Sequence, residues 1–391
     1  MGGISLRKLL AGGTVSVCAL LVSAAAFAET NSKINMTRGV TPTAHEVYDI
    51  HMIVLWICVI ASVIVYGVMF YSIFAFRRSK HPTPAKFHEN ATLEVLWTLI
   101  PAIVLVVMAV PATKAMINLY DTSDHEMTIK VTGYQWKWQY EYLDEGISFF
   151  SNLATPDNQI YGDADKGENY LVEVDNELVV PTETKIRFVI TANDVIHAWW
   201  VPALGWKQDA IPGFINENWA YIEEPGVYRG KCAELCGRNH GFMPVVVRAL
   251  PKDEYSAWLE GKQQEMAAAE AAAGKTFAKD ELMAMGEKAY ATHCLACHQA
   301  NGKGVPGAFP ALAGSALVKD SLADHIDIVL NGKSGTAMQA FGPQLNDVDL
   351  AAIMTYERNA WGNDALIAED TDIVQPADIQ AARGAVAAAG Q

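Results

Sequence analysis

Sulfur and nitrogen side chains of the kinds that bind metals form one group in the middle of the chain. The members of this first group are His197, Cys232, Glu234, Cys236, His240 and Met243. Thiolate, thioether and imidazole are soft or borderline ligands, and together they favour copper over magnesium or calcium. A single-copper electron carrier needs only one cysteine, two histidines and a weak methionine. The second cysteine can bridge a second copper ion, so the pattern predicts a two-copper electron relay.

The Cys232–Cys236 pair alone has two other interpretations. In an exported protein the two thiols can form a disulfide, and with two histidines they can bind a structural zinc ion. Neither alternative needs Met243 or the aromatic residues around the cluster. The full set of ligands therefore favours copper.

A second metal-binding pattern lies at residues 294–298, which read Cys-Leu-Ala-Cys-His. C-x-x-C-H is the attachment signature of a c-type haem, in which Cys294 and Cys297 form thioethers and His298 binds the iron. A thioredoxin-like dithiol is the alternative. It requires a βαβ context that this segment does not have.

The second axial ligand of such a haem is expected tens of residues later. Met338 follows His298 by 40 residues, and methionine ligation raises the potential of a haem. Met354 is the rival candidate, but it falls on the apolar stripe of the last predicted helix and is expected in the core. His293 and His325 are expected at the surface.

Composition and charge restrict the class of protein. Of the 391 residues, 51% are hydrophobic and only 19% are charged, which indicates a membrane component. The net charge of −15, without a basic run, disfavours binding to nucleic acid. Six cysteines are too few for a disulfide scaffold of this length.

The N-terminal third contains three apolar segments. Residues 1–28, ending in Ala26-Phe27-Ala28, have the pattern of a cleaved signal peptide. Within residues 29–114, two uncharged runs predict transmembrane helices at about 50–76 and 93–113. The basic loop between them should remain cytoplasmic, which places everything after residue 114 outside. Glu94 precedes the second span, as an acid favoured by the helix dipole or as a proton gate.

The rest of the chain divides by its periodicity. Residues 115–260 contain short runs rich in β-branched and aromatic residues, which predict an antiparallel sandwich or barrel. Residues 261–280 form an Ala/Glu-rich helical linker, and residues 281–361 predict a small α domain. The tail, 362–391, is Ala-rich and acidic and is expected to be disordered.

Residues 45 to about 258 resemble cytochrome c oxidase subunit II, the subunit of haem-copper oxidases that carries copper A. The resemblance rests on the membrane hairpin, the string Gly133-Tyr-Gln-Trp-Lys-Trp138, the segments Asp194-Val-Ile-His197 and Asp209-Ala-Ile-Pro-Gly213, and the complete ligand loop. It implies a cupredoxin-like Greek-key sandwich. Residues 281–361 resemble a class I cytochrome c domain, including residues 304–310. Many such domains have proline where this chain has Gln339, which weakens that match slightly.

The resemblance also implies roles for individual residues. Cys232 and Cys236 would bridge the two coppers of copper A, His197 and His240 would bind one each, Met243 would be a weak axial ligand, and Glu234 would contribute its carbonyl. The Glu234 side chain would bind magnesium shared with subunit I. Trp136 would be the surface residue through which electrons enter, and Glu94 the acid at the mouth of a proton pathway. Trp138 and Tyr140 are expected to be ordinary packing residues.

The implied function is electron transfer from an external donor through haem c and copper A to subunit I. There oxygen would be reduced to water with proton pumping. Expected partners are oxidase subunits I and III and cytochrome c or another donor. The expected location is the bacterial inner membrane, as a multi-pass protein with its C-terminal domains on the periplasmic side. The main alternative is a membrane-anchored copper-delivery protein. Nitrous oxide reductase is disfavoured, because ten histidines are too few for its catalytic domain.

Overall fold

The computed structural model describes residues 35–83, 87–333, 336, 338–367 and 371–389. The predicted signal peptide and Lys86 of the basic loop lie outside these residues. The chain divides between Tyr255 and Ser256 into two compact units.

Two long apolar helices begin the N-terminal unit. Helix α1 spans Pro42–Ala75 and helix α2 spans Ala91–Leu119, and each is longer than the roughly 20 residues that cross a bilayer. Both begin before the predicted positions because polar residues cap them. The Thr41 side chain accepts a hydrogen bond from the backbone of Ala44, and the Asn90 side chain accepts one from Leu93.

Hydrogen bonds attach the helix ends to the β domain of the same unit. The Thr41 hydroxyl donates to the carbonyl of Leu204 at 2.9 Å, and the Val40 amide donates to Ala203 at 2.9 Å. At the end of α2, the carbonyl of Asn118 accepts from the indole nitrogen of Trp219 at 3.0 Å. Both helices are therefore fixed to the β domain at one end.

The β domain occupies residues 127–250, all of which the structure describes, and consists of two five-stranded sheets. Its elements are β1 (Met127–Tyr134), β2 (Lys137–Tyr142), β3 (Ile147–Ser151), helix α3 (Asp157–Ile160), β4 (Leu178–Pro181), β5 (Lys185–Ala192), β6 (His197–Val201), β7 (Trp206–Ala210), β8 (Asn216–Tyr221), β9 (Gly226–Cys232) and β10 (Pro244–Leu250). The strand orders are β3-β2-β1-β5-β8 and β4-β10-β9-β6-β7.

The pairing of these strands differs in one respect from the predicted antiparallel arrangement. Strands β1 and β5 pair in parallel, and so do β4 and β10. Parallel neighbours require long connections, and here the intervening chain is long enough to pass through other strands before it returns. The result is a sandwich in which distant segments of the chain become neighbours.

Aromatic side chains fill the space between the two sheets. The ring of Phe188, on β5, lies 5.3 Å from that of Trp199 on β6 and 5.7 Å from that of Trp206 on β7 (centroid to centroid). Trp138 and Tyr140 are fully buried, which confirms that they are packing residues. Burial of such large apolar surfaces is the main stabilising contribution to a sandwich of this size.

The C-terminal unit is helical. Helix α4 (Lys252–Ala273) contains most of the predicted linker and is followed by α5 (Lys279–His293), α6 (Leu295–His298), α7 (Ala316–Asp320), α8 (Leu322–Asn331), α9 (Asp347–Asn359) and α10 (Pro376–Ala389). Apolar residues of α8, α9 and α10 form one core cluster, which includes Ile326, Val329, Leu350 and Met354.

The tail differs from its expected disorder. Residues 371–389 contain α10, and Val374 and Ile379 are fully buried in the core cluster. The Thr355 hydroxyl donates to the carbonyl of Val374 and accepts from its amide. The Ala-rich, acidic composition is typical of disorder, but a few apolar residues that fit an existing core are enough to order this segment.

We expect Ile379→Ala to loosen the C-terminal unit. Removing a fully buried isoleucine side chain should lower the free energy of opening by about 2–5 kcal/mol. Hydrogen–deuterium exchange of the α8 and α9 amides in the full-length chain measures this loss. Gln380→Ala, at the exposed neighbouring position, is the matched control. Equal exchange in the two variants would mean that α10 contributes nothing to this core.

Candidate metal centres

The loop between β9 and β10 carries most of the predicted copper ligands. Cys232 is the last residue of β9, and its amide donates to the carbonyl of Met243 at 2.9 Å, which closes the loop at its base. Gly237 has a φ of +114°, which lets the chain turn directly after Cys236. The closed base of the loop and this turn therefore place Cys236 beside Cys232.

The sulfur and nitrogen atoms of this cluster approach one another closely. The two sulfurs of Cys232 and Cys236 lie 3.7 Å apart, far longer than the roughly 2.05 Å of a disulfide, and both thiols are free. Cys232 Sγ lies 3.9 Å from His197 Nδ1, and Cys236 Sγ lies 3.6 Å from His240 Nδ1. Each thiol thus faces one imidazole nitrogen.

Two further predicted ligands belong to the same loop. The backbone carbonyl of Glu234 lies 3.4 Å from Cys232 Sγ, while the Glu234 residue itself is exposed. Met243 is 1% exposed and ends the loop immediately before β10. The carbonyl is therefore inside the cluster, whereas the carboxylate of Glu234 is free to face outward.

His197 reaches the cluster from the start of β6 and is fully buried. Gly133, on β1, leaves the space that its ring occupies, because a Cβ at that position would lie only 2.9 Å from His197 Cδ2. The ring of Trp138 packs edge-on against the imidazole, with centroids 5.9 Å apart. The close packing of Gly133 and Trp138, which are cross-strand partners, fixes the position of the ring.

Asp194 fixes the orientation of the same imidazole. Its Oδ1 lies 2.8 Å from His197 Nε2, and a carboxylate only accepts, so Nε2 donates and the lone pair of Nδ1 faces the thiols. Asp194 Oδ2 also accepts from the amide of Gln135 at 2.7 Å. Burial alone would raise the pKa of Asp194, but these hydrogen bonds, with His197 first among them, lower it below its ordinary value.

The two thiols differ in acidity. Burial raises the pKa of Cys232, but hydrogen bonds with His197 and with the backbone more than offset this and lower it to about 7. Burial and the neighbouring Cys232 raise the pKa of Cys236 to about 12. The metal-free pair therefore ionises one thiol at a time, and a metal bound to both must displace the second proton.

Trp136 lies in the two-residue turn between β1 and β2, beside the ligand loop. Its indole nitrogen donates to the carbonyl of Cys236 at 3.1 Å, and the side chain of Gln135 donates to the same oxygen at 2.8 Å. Trp136 is partly exposed. It therefore connects the protein surface directly to the backbone of a predicted ligand.

Asp194 and Gln135 are the residues of this site whose roles sequence reasoning missed. An acid three residues before a predicted ligand histidine was the available signal for Asp194. Nothing in the sequence indicates the role of Gln135, because it depends on the approach of the β1–β2 turn to the ligand loop.

The C-x-x-C-H residues lie where α5 ends and the short helix α6 begins. Cys294 and Cys297 are half-buried free thiols, and burial raises the pKa of both. His298 Nδ1 lies 3.0 Å from the carbonyl of Pro310. A carbonyl only accepts, so Nδ1 donates and Nε2 keeps its lone pair for a metal. This arrangement fits an axial histidine of a haem attached to the two thiols.

The other predicted residues of the haem region have different outcomes. Met338 is half-buried and packs against the core cluster, whereas Met354 is fully buried within it, which confirms Met354 as a core residue. The expectation that His325 lies at the surface is wrong. His325 is 1% exposed, and its Nε2 lies 2.8 Å from a carboxylate oxygen of the equally buried Glu357, which compensates the burial. His293 is half-buried.

Glu94, the predicted proton-pathway residue, lies in the first turn of α2. Its position there also suits an acid that interacts with the helix dipole. Glu94 is exposed on the surface of this helix next to Val95 and Thr98, and it is distant in sequence from the residues of the metal cluster.

Three family models match separate parts of the chain. Residues 29–115 match the transmembrane domain of cytochrome c oxidase subunit II, and residues 127–250 match the periplasmic domain of the same subunit. Residues 281–356 match subunit III of the cbb3-type cytochrome c oxidase. The three matches follow one another in chain order.

Individual relatives agree with these matches. A probable cytochrome c oxidase subunit 2 of Rickettsia felis is 37% identical over 250 residues, covering 63% of this chain and 78% of the relative. Cytochrome c oxidase subunit 2 of Cyanidium caldarium is 37% identical over 228 residues, covering 57% of this chain and 88% of the relative. The solved periplasmic domain of subunit II from Bradyrhizobium japonicum is 40% identical and covers 37% of this chain and 98% of that domain, with a TM-score of 0.33.

A membrane hairpin, a β-sandwich with a buried sulfur–nitrogen cluster and a cytochrome c domain define a membrane-anchored electron carrier that uses copper and haem. The chain belongs to the cytochrome c oxidase subunit 2 family. It is a subunit of a cytochrome c oxidase and works with the other subunits of that complex. Matches over both the hairpin and the β domain disfavour the copper-delivery alternative.

Asp194→Ala should weaken metal binding without removing a ligand. Loss of the carboxylate that orients a ligand histidine typically lowers metal affinity about 10–100-fold. Copper titration of the full-length chain against a competing chelator measures the affinity. Asp121→Asn, at a surface carboxylate bonded to Ser123, is the control. Unchanged affinity in Asp194→Ala would show that packing alone orients His197.

Proposed function

We propose that His197, Cys232, Cys236, His240, Met243 and the carbonyl of Glu234 hold binuclear copper A. The observation that carries this proposal is the pair of buried, unjoined sulfurs 3.7 Å apart, each facing a different imidazole nitrogen. This donor set favours copper over hard cations. When bound, the copper pair supplies a one-electron redox couple.

Packing around the cluster supports the same role. His197 is held by Gly133, Trp138 and Asp194, and the carbonyl of Cys236 is held by two donors of the β1–β2 turn. Ligands fixed this firmly move little when the charge of the site changes. Little movement is what rapid, reversible electron transfer requires.

We propose that Trp136 is the residue through which electrons reach the copper ligands. It is partly exposed, and its indole nitrogen is bonded to the backbone of Cys236. A donor that touches the indole is thus connected to a ligand through one hydrogen bond and a few covalent bonds.

The C-terminal unit is proposed to carry a covalent haem c on Cys294 and Cys297, with His298 and Met338 as axial ligands. The orientation of His298 by the carbonyl of Pro310 supports the first ligand. Met338 is half-buried in the loop after α8 and follows His298 by 40 residues, which supports the second. When bound, the haem supplies a second one-electron couple between the external donor and the copper domain.

Further parts of the proposal concern partners and location. We propose subunits I and III as neighbours, with the exposed carboxylate of Glu234 binding magnesium at the boundary with subunit I. Glu94 is proposed as the acid at the mouth of a proton pathway. The chain would lie in a bacterial inner membrane with residues 115–391 on the periplasmic side. Its net charge of −15 suits a donor with a basic docking patch.

Metal and haem analysis of the purified oxidase tests the main proposal. We expect about two coppers and one covalent haem per chain, with a mixed-valence copper signal. Cys236→Ser should abolish that signal and leave the covalent haem in place. Cys58→Ser, at an exposed cysteine within α1, should change neither. A zinc ion, or a Cys232–Cys236 disulfide with a single labile copper, would contradict the proposal.

Trp136→Phe should slow electron transfer into the copper site several-fold while copper content stays constant. Phenylalanine keeps an aromatic ring but lacks the nitrogen that donates to Cys236. Stopped-flow reduction of the oxidase by its donor, with copper quantified in parallel, measures the effect. Trp219→Phe, at a partly buried tryptophan on β8, is the matched control. Equal rates in both variants would refute this role for Trp136.

A further inference from the structure

The C-terminal segment with α10 lies beyond the residues that match a cytochrome c family model, which end at residue 356. Its function is therefore not explained by that match. The segment nevertheless contributes to the core cluster against which Met338 packs. Ile379 is a buried member of that cluster, and Ala382, Phe341 and Leu345 pack against it as Met338 does.

Arg383, on α10, donates hydrogen bonds to three oxygen atoms at the C-terminal end of the loop that carries Met338. Its Nη1 donates to the carbonyl of Gly342 at 2.6 Å, and its Nη2 donates to the carbonyl of Leu345 at 2.7 Å. Its Nε donates to the carboxylate of Asp347 at 2.6 Å. The guanidinium thus joins the end of the loop to the first residue of α9.

Backbone hydrogen bonds connect the middle of the same loop to α8. The amides of Phe341 and Gly342 donate to the carbonyls of Val329 and Leu330 at 2.9 Å each, and the amide of Lys333 donates to the carbonyl of Met338 at 3.0 Å. Backbone bonds to α8 therefore restrain one side of the loop, and Arg383 restrains the other.

The loop has a particular need for such restraint. Its sequence contains Gly332, Gly335 and Gly342, and glycine loses more conformational freedom on ordering than any other residue. A thioether is also a neutral ligand, so no charge attracts it to an iron ion. The entropic cost of ordering this glycine-rich sequence therefore opposes coordination by methionine.

We propose that Arg383 is a positioning residue for the methionine ligand of the haem, acting through the loop from Gly342 to Asp347. The inference rests on the proposed role of Met338. A planar guanidinium with donors in a fixed fork can hold three oxygens at once, whereas a lysine ammonium is a compact point charge on a flexible stem. Through Arg383 the C-terminal segment would set how firmly Met338 is held as a ligand of the haem.

The test uses the full-length chain loaded with haem c and separated from the other oxidase subunits. The variants are Arg383→Met, Arg383→Lys and, as the reference for a lost ligand, Met338→Ala. The readouts are the far-red charge-transfer absorption of methionine-bound ferric haem, the haem midpoint potential, and carbon monoxide binding to the ferrous haem. Gln375→Ala is the control, because the Gln375 side chain forms two hydrogen bonds with the backbone of Phe277 and none of them involves the methionine loop.

We expect Arg383→Met to weaken the far-red band, lower the potential and admit carbon monoxide, with Arg383→Lys intermediate and Gln375→Ala unchanged. Wild-type values in folded Arg383→Lys and Arg383→Met would overturn the inference while leaving Met338 as a ligand. If Arg383→Met fails to fold, the folded lysine variant decides, and wild-type values there overturn the inference. A wild-type chain that already lacks the far-red band and resembles Met338→Ala would instead refute the ligand assignment itself, and the inference with it.

Discussion

The N-terminal unit depends on one constraint, which is that two thiols must lie close together in a buried site without joining. Strand β9 fixes Cys232, and the turn at Gly237 returns Cys236 to within 3.7 Å of it. Each sulfur also lies close to the nitrogen of a different imidazole ring. A pair held at this separation suits a bridging role between two metal ions, whereas a disulfide would consume both ligands.

Three segments of the chain that are distant in sequence maintain this constraint. The β1–β2 turn holds the carbonyl of Cys236. The start of β6 supplies His197, and Asp194 just before it supplies the orienting carboxylate. The end of β9 and the loop after it supply the two sulfurs. The sandwich brings them together because β1 lies beside β5 in one sheet while β6 lies beside β9 in the other. The precision of the metal site is therefore a property of the sheet packing and not of the ligand loop alone.

The C-terminal unit has a different requirement. Cys294 and Cys297 would attach the proposed haem, and the carbonyl of Pro310 orients His298, so this part of the proposed site is well defined. The proposed second ligand, Met338, lies in the glycine-rich loop after α8, and both α8 and α10 form hydrogen bonds with residues of that loop. The core cluster that buries Ile379 also packs against Met338, so the stability of the tail and the surroundings of the methionine are physically linked. Burial of Val374 and Ile379 in this cluster accounts for an ordered helix in a segment of disordered composition.

The sequence by itself determined the chemistry of this protein and much of its organisation. Metal coordination permits few side-chain types and spacings, so Cys232, Cys236 and the C-x-x-C-H string were recognisable without a structure, and 3.6-residue and two-residue periodicities indicated the helices and strands. Only the tertiary structure decided the parallel pairing of β1 with β5, the burial of His325 beside Glu357, the order of α10, and the contacts of Asp194, Gln135 and Arg383. Each of these depends on a contact between residues from separate elements. Local sequence carries the identity of a ligand, but the residues that orient it are selected by which distant surfaces meet when the chain folds.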